Sequence, residues 1–178
     1  MPIEISDSEL IAACKRGEMW AKKALYERFA PMMLSVCTRY CGNRETARDV
    51  MQDAFIKVFT KIGDFRGEGS FEGWVRKIFI TSSLEKLCSR REIPLDESFS
   101  ETIETQDFDI FEKMSADDLH RMICELPDAC REVFNLYAVE GYSHKEIGQM
   151  IGIKEVTSRS YIFRAREILK EKIKRFII

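Results

Sequence analysis

The sequence predicts an all-α protein built as two helical domains joined by an acidic flexible linker, and three observations predict it. Apolar residues recur at three- and four-residue steps through most of the chain, the period of helices that bury one side. That period dissolves after Ile93, where PLDESFSETIETQDFDIFEKM is acidic and rich in Ser and Thr, and a stretch with so little apolar surface reads as a tether. The flanking segments are each long enough for a core of their own, which sets the domains at residues 1–92 and 115–178 with the linker at 93–114. No repeat of about 20–50 residues is visible.

In chain order, Ser6-Asp7-Ser8-Glu9 supplies a cap and an acidic first turn for a short helix ending near Gly17. Ala21, Leu25, Phe29, Met32, Met33, Val36, Cys37 and Tyr40 then keep a helical period to Gly42, with Pro31 removing one internal hydrogen bond. From Glu45 to Ile62 a broad apolar face includes Val50, Ala54, Phe55 and Val58, while Asp49, Gln52, Asp53 and Lys57 fall on the other side. Residues 64–70, DFRGEGS, form a glycine-rich loop, and Ser70 can cap the helix that follows. In that helix Trp74, Val75, Ile78, Phe79 and Leu84 are apolar, and Arg76, Lys77, Lys86, Arg90 and Arg91 make it basic.

Past the linker, Ser115 with Asp118 can cap a helix to Glu125, and Pro127 suits the first turn of another that runs to Gly141. The stretch GYSHKEIGQMIGIKEVTSRSYIFRAREIL, residues 141–169, reads as helix, short turn and basic helix. Ser143 and Glu146 have capping-box spacing, Gly152 is placed to end the first helix in the left-handed conformation, and Ile153 fills the turn. In the second helix Ile162, Ala165, Leu169 and Ile173 form the buried stripe, which turns Ser160, Phe163 and Arg164 outward with Arg159 and Lys170 on the flanks. From Lys154 onward eight Lys or Arg face three Asp or Glu, a surplus suited to a polyanion because neutralising phosphates releases counterions. This is the helix-turn-helix layout, whose second helix enters the major groove of DNA.

Composition excludes several classes. No apolar run approaches the roughly 20 residues that span a bilayer, and MPIEISDSEL lacks the basic and apolar regions of a signal peptide, so a cytoplasmic protein is expected. The six cysteines are then expected as thiols. Cys37 with Cys41 and His120 with Cys124 have i, i+4 spacing, but each pair lacks the further ligands zinc needs, so no metal site is expected. His144 follows the helix cap, where it is placed to approach a phosphate, but an exposed surface histidine is the favoured reading. No phosphate loop, paired catalytic carboxylates or nucleophile with its base is present, and neither an enzyme nor a cofactor is expected.

Two separated blocks carry a family resemblance. The block LYERFAPMMLSVCTRYCGNRETARDVMQDAFIKVFTKIGDFRGEGSFEGWVRKIFITSSLEKL resembles region two of extracytoplasmic-function sigma factors, members of the sigma-70 family. The block ELPDACREVFNLYAVEGYSHKEIGQMIGIKEVTSRSYIFRAREILKEKI resembles their region four. The resemblance covers nearly the whole chain in family order. It implies a protein that binds core RNA polymerase through the β and β′ subunits, recognises promoter DNA, helps to open it, and is held by an anti-sigma factor until a signal arrives.

By position, the resemblance makes Asp49, Gln52 and Asp53, with the apolar Ile56 beside them, the face that docks on the polymerase clamp. It assigns the minus-ten element to Phe65, Arg66, Ser70, Arg76, Lys77 and Thr81, with core packing favoured over base contact for Phe71 and Trp74. Thr81 stands where most members carry Asn, and it offers one hydroxyl and a methyl in place of an amide. The minus-thirty-five element falls to Lys154, Thr157, Arg159, Ser160, Phe163 and Arg164. The linker then either threads the RNA exit path or serves as a plain tether. Two other readings remain at this stage. One is a free-standing helix-turn-helix regulator acting on duplex DNA without polymerase, and the other is a helical adaptor whose basic helix binds protein.

Overall fold

The computed structural model describes residues 5–88 and 115–177, all of it helix, turn or loop, with no strand among the described residues. The expected linker, 93–114, and Arg90 and Arg91 lie outside the described residues. The chain divides into two compact units, Met1–Thr38 with Asn43–Lys86, and Arg39–Gly42 with Leu87–Ile178.

In the first unit, α1 (Asp7–Lys15) starts at a capping box in which Ser6 Oγ accepts from the Glu9 amide and the Glu9 carboxylate accepts from the Ser6 amide. Satisfying two orphan donors in this way stabilises a short helix by about 1 kcal/mol. Helix α2 (Met19–Cys41) continues through Pro31. Asn43 opens α3 (Arg44–Lys61), its side-chain oxygen accepting from the Thr46 amide at 2.8 Å. A 3-10 turn, Ile62–Asp64, leads into the loop before α4 (Phe71–Cys88). Aromatic rings take part in the packing between these helices. Phe55 meets Phe79 edge-on at 4.9 Å, and Phe29 meets Phe71 at 5.8 Å in the same manner. Each fully buried ring contributes roughly 1.5–3 kcal/mol through the water it leaves.

The second unit carries α5 (Ala116–Cys124), capped by Ser115, then α6 (Asp128–Phe134), α7 (His144–Ile151) and α8 (Glu155–Ile177). Met122, Leu126 and Cys130 pack against Ala165, Leu169 and Ile173, the stripe that the three- and four-residue period picks out. One element departs from expectation. The helix after Pro127 does not run to Gly141 as a uniform α-helix. It ends at Phe134 and widens into a π turn, Asn135–Val139, in which the Glu140 amide donates to the Asn135 carbonyl at 3.0 Å.

Candidate nucleic-acid interface

The second unit presents α8 on a helix-turn-helix frame. Helix α7 begins with the Ser143/Glu146 capping box and ends at Gly152, whose φ of 72° is the left-handed conformation expected there. The turn is held from inside α7, because the amides of Gly152 and Ile153 both donate to the Gly148 carbonyl, at 2.9 and 3.1 Å. A Cβ on Gly148 would sit 2.7 Å from the Ile153 carbonyl oxygen, so only glycine lets the turn fold back this closely.

Burial of Ser158, Ile162, Ala165 and Leu169 fixes the rotation of α8. Lys154, Arg159, Phe163 and Arg164 are exposed as a result, while Thr157 and Ser160 are half-buried. Arg159 is not a free cation: its guanidinium donates to the Glu155 carboxylate at 2.6 Å, both side chains about half exposed. The Ser160 hydroxyl turns back to the Val156 carbonyl at 3.2 Å. Glu155 was legible as an i, i+4 partner of Arg159, and Val156, 64% exposed, sits on the same outward face.

His144 departs from expectation. It is half-buried, stacks on Tyr137 with ring centroids 4.4 Å apart, and its Nδ1 lies 3.0 Å from the buried Ser158 hydroxyl. The imidazole therefore ties the π turn, the start of α7 and the first turns of α8 together. Burial, with Arg159 and Arg166 nearby, pushes its pKa below the ordinary histidine value, and Glu155 opposes the shift.

In the first unit, Asp49, Gln52, Asp53 and Ile56 are all exposed, and their spacing puts them on one face of α3. Ile56 is 62% exposed, a cost in water that an isolated helix face gains nothing from. The loop before α4 displays Arg66 and Ser70, and α4 displays Lys77 and Thr81, with Arg76 half-buried. Phe65 is placed differently from the expectation that it offers its ring to a base. It is buried at 9% exposure, its centroid 5.3 Å from Phe71 and 5.5 Å from Trp74, and Lys15 holds its carbonyl. The ring stiffens the loop from within. Ser70 Oγ accepts from the Gly73 amide at 3.0 Å and so caps α4, while the Thr81 hydroxyl donates to the Lys77 carbonyl at 2.8 Å.

The described residues hold no group of three metal-ligating side chains, and no helix among them is long and apolar enough to cross a membrane. Cys14, Cys37, Cys41 and Cys130 are buried thiols, Cys124 is partly buried and Cys88 exposed.

Comparison with known proteins matches both units. Residues 25–91 fit the model of Sigma-70 region 2, and residues 116–169 fit that of Sigma-70, region 4. The ECF RNA polymerase sigma-E factor of Haemophilus influenzae is 29% identical, covering 97% of this chain and 98% of that protein. The RNA polymerase sigma-H factor of Pseudomonas aeruginosa is 28% identical over 94% of this chain and 93% of its own length. Among solved structures, the sigma factor RpoE of Bartonella quintana, in complex with the anti-sigma factor NepR, shares the fold with a TM-score of 0.52 at 21% identity, covering 85% of this chain and 96% of that one. With the two models matched in order and these relatives aligned nearly end to end, the chain belongs to the sigma-70 family and is a sigma factor of the extracytoplasmic-function class.

Proposed function

We propose that this sigma factor divides its work between residues 1–92, which bind core RNA polymerase and the minus-ten element, and residues 115–178, which bind the minus-thirty-five element, with 93–114 as the connection. The observation that carries the division is the α3 face of Asp49, Gln52, Asp53 and Ile56, acidic and amide groups around one exposed apolar side chain. A duplex-only regulator has no use for such a face, whereas a basic partner helix on the polymerase clamp complements it. On the DNA side, Arg66, Lys77 and Thr81 offer cations and a hydroxyl to an opened strand whose bases are unstacked. Lys154, Arg159, Ser160, Phe163 and Arg164 meet the edges and phosphates of duplex DNA in its major groove.

The role is one of binding and opening, with no covalent step, in the cytoplasm where core polymerase works. An anti-sigma factor that covers both domains is the natural off state, since either domain alone has a surface for polymerase or DNA.

Sizing chromatography of core polymerase with the full chain tests the division. The wild type should co-elute with core. The double variant Asp49→Arg, Asp53→Arg should lose at least about tenfold in affinity for core, as expected when charges of a complementary interface are reversed. Arg164→Ala should keep core association and lose promoter retention. Unchanged co-elution of the double variant would sink the α3 assignment, and tight promoter binding by the chain without core would favour the free-standing regulator.

A further inference from the structure

In its first three turns helix α8 exposes two large apolar side chains among its charges, Val156 at 64% and Phe163 at 37%. They are seven residues apart, nearly two full turns, so they lie within about 20° of each other around the helix and about 10 Å apart along it. That line runs opposite the buried stripe of Ser158, Ile162, Ala165 and Leu169. Arg159 and Arg164 flank it on either side, both exposed. In cross-section the helix therefore shows cation, apolar strip, cation. The major groove is complementary to that order, with phosphates on its two walls and base edges on its floor, and one apolar group stands on that floor, the C5 methyl of thymine.

We infer that Val156 is a specificity-determining residue that reads a thymine methyl in the minus-thirty-five element, beside Phe163. The inference rests on the proposal that α8 lies in the major groove. Val156 occupies the first turn of the helix, the part of a reading helix that reaches base edges. Between the two apolar groups Ser160 donates its hydroxyl proton to the Val156 carbonyl and faces DNA as an acceptor. The spacing of about 10 Å corresponds to about three base-pair steps, so the two side chains address separate positions of one element. The branched methyls of Val156 are restricted at χ1 in a helix, which makes them a shaped contact rather than an adaptable one.

The test uses the holoenzyme and a duplex promoter recovered by run-off transcription selection from a random library. Each thymine of its upstream element is replaced singly by deoxyuridine, which keeps the base pair and removes the methyl. One of these replacements should weaken wild-type binding about fourfold, the loss that goes with one buried methyl, and Val156→Ser and Val156→Asn, which leave no methyl, should reduce that loss toward onefold at this position alone. Both variants sit at an exposed site, and thermal melts matching the wild type, with wild-type affinity for the deoxyuridine duplex, show that their second unit folds. If Arg159→Ala and Arg164→Ala weaken binding while no deoxyuridine replacement does, or if the selected element contains no thymine, the inference is overturned and the placement of α8 stands. If the arginine variants bind the upstream element as the wild type does, the placement of α8 fails and the inference fails with it.

Discussion

At the scale of single residues, His144 shows how a side chain can be more consequential than its position in the sequence suggests. Following a helix cap, it reads as a surface group. What places it in the frame is its partners, the Tyr137 ring seven residues earlier and the Ser158 hydroxyl fourteen residues later, and neither pairing has a periodic signature. Its folded-state pKa is depressed, by burial first and by Arg159 and Arg166 after that. The neutral form is therefore the one the fold favours. The stabilisation is complete above the ordinary histidine value of about 6.5 and is lost as pH falls through the lower folded value. Denaturant midpoints followed from about pH 7.5 down to pH 5 should fall more steeply for the wild type than for His144→Phe, which keeps a ring on Tyr137 without a proton to gain. Parallel curves would show that the imidazole does not titrate in this range as proposed. Phe65 makes the opposite lesson: an aromatic in a glycine-rich loop looked available to a base, yet Phe71 and Trp74 enclose it. Loops have no period, so which way a loop ring points is decided by tertiary packing that local sequence does not record.

At the scale of elements, the helix-turn-helix was legible almost residue by residue because its signals are chemical as well as periodic. Ser143 and Glu146 close a capping box, Gly152 takes a positive φ, and the Ile162, Ala165, Leu169, Ile173 stripe is buried as its spacing requires. Gly148 was not legible. A glycine inside a helix costs about 1 kcal/mol against alanine and gives no hint of its use. Its use is the close approach of the Ile153 carbonyl, which a Cβ would meet at 2.7 Å. Gly148→Ala should therefore destabilise the second unit by about 1–3 kcal/mol in spite of the better helix propensity, through overpacking of backbone on backbone. A thermal melt that rises instead would show that the turn can shift away at little cost. The π turn at Asn135–Val139 was hidden for a different reason: its widened ring of bonds changes which carbonyl an amide meets, not which residue types are used.

For the whole molecule, two helical units were legible from the helical period on either side of the acidic stretch, but the partition of charge is what gives them meaning. The chain carries a net charge of −2, while the segment from Lys154 onward has eight basic residues against three acidic. Such a protein has little general attraction to DNA and a concentrated local one, so its grip depends on α8 being delivered to the right place. The hold of Glu155 on Arg159 adds a further property. DNA that engages the same guanidinium nitrogen of Arg159 competes with a carboxylate already in contact with it. A random sequence, offering only a phosphate, returns little more than it takes away, whereas a cognate guanine returns a paired hydrogen-bond contact worth about 1–3 kcal/mol. Glu155 thus acts as an internal competitor that discounts weak sites more than strong ones, a form of discrimination set by what must be refused. Glu155→Gln should tighten holoenzyme binding to non-specific duplex more than to the selected promoter, lowering the ratio of the two at fixed salt. Equal gains on both would mean that the carboxylate merely subtracts charge. With the competitor in place, the sigma factor would lose some affinity everywhere and spend less time on the wrong sequences of a genome.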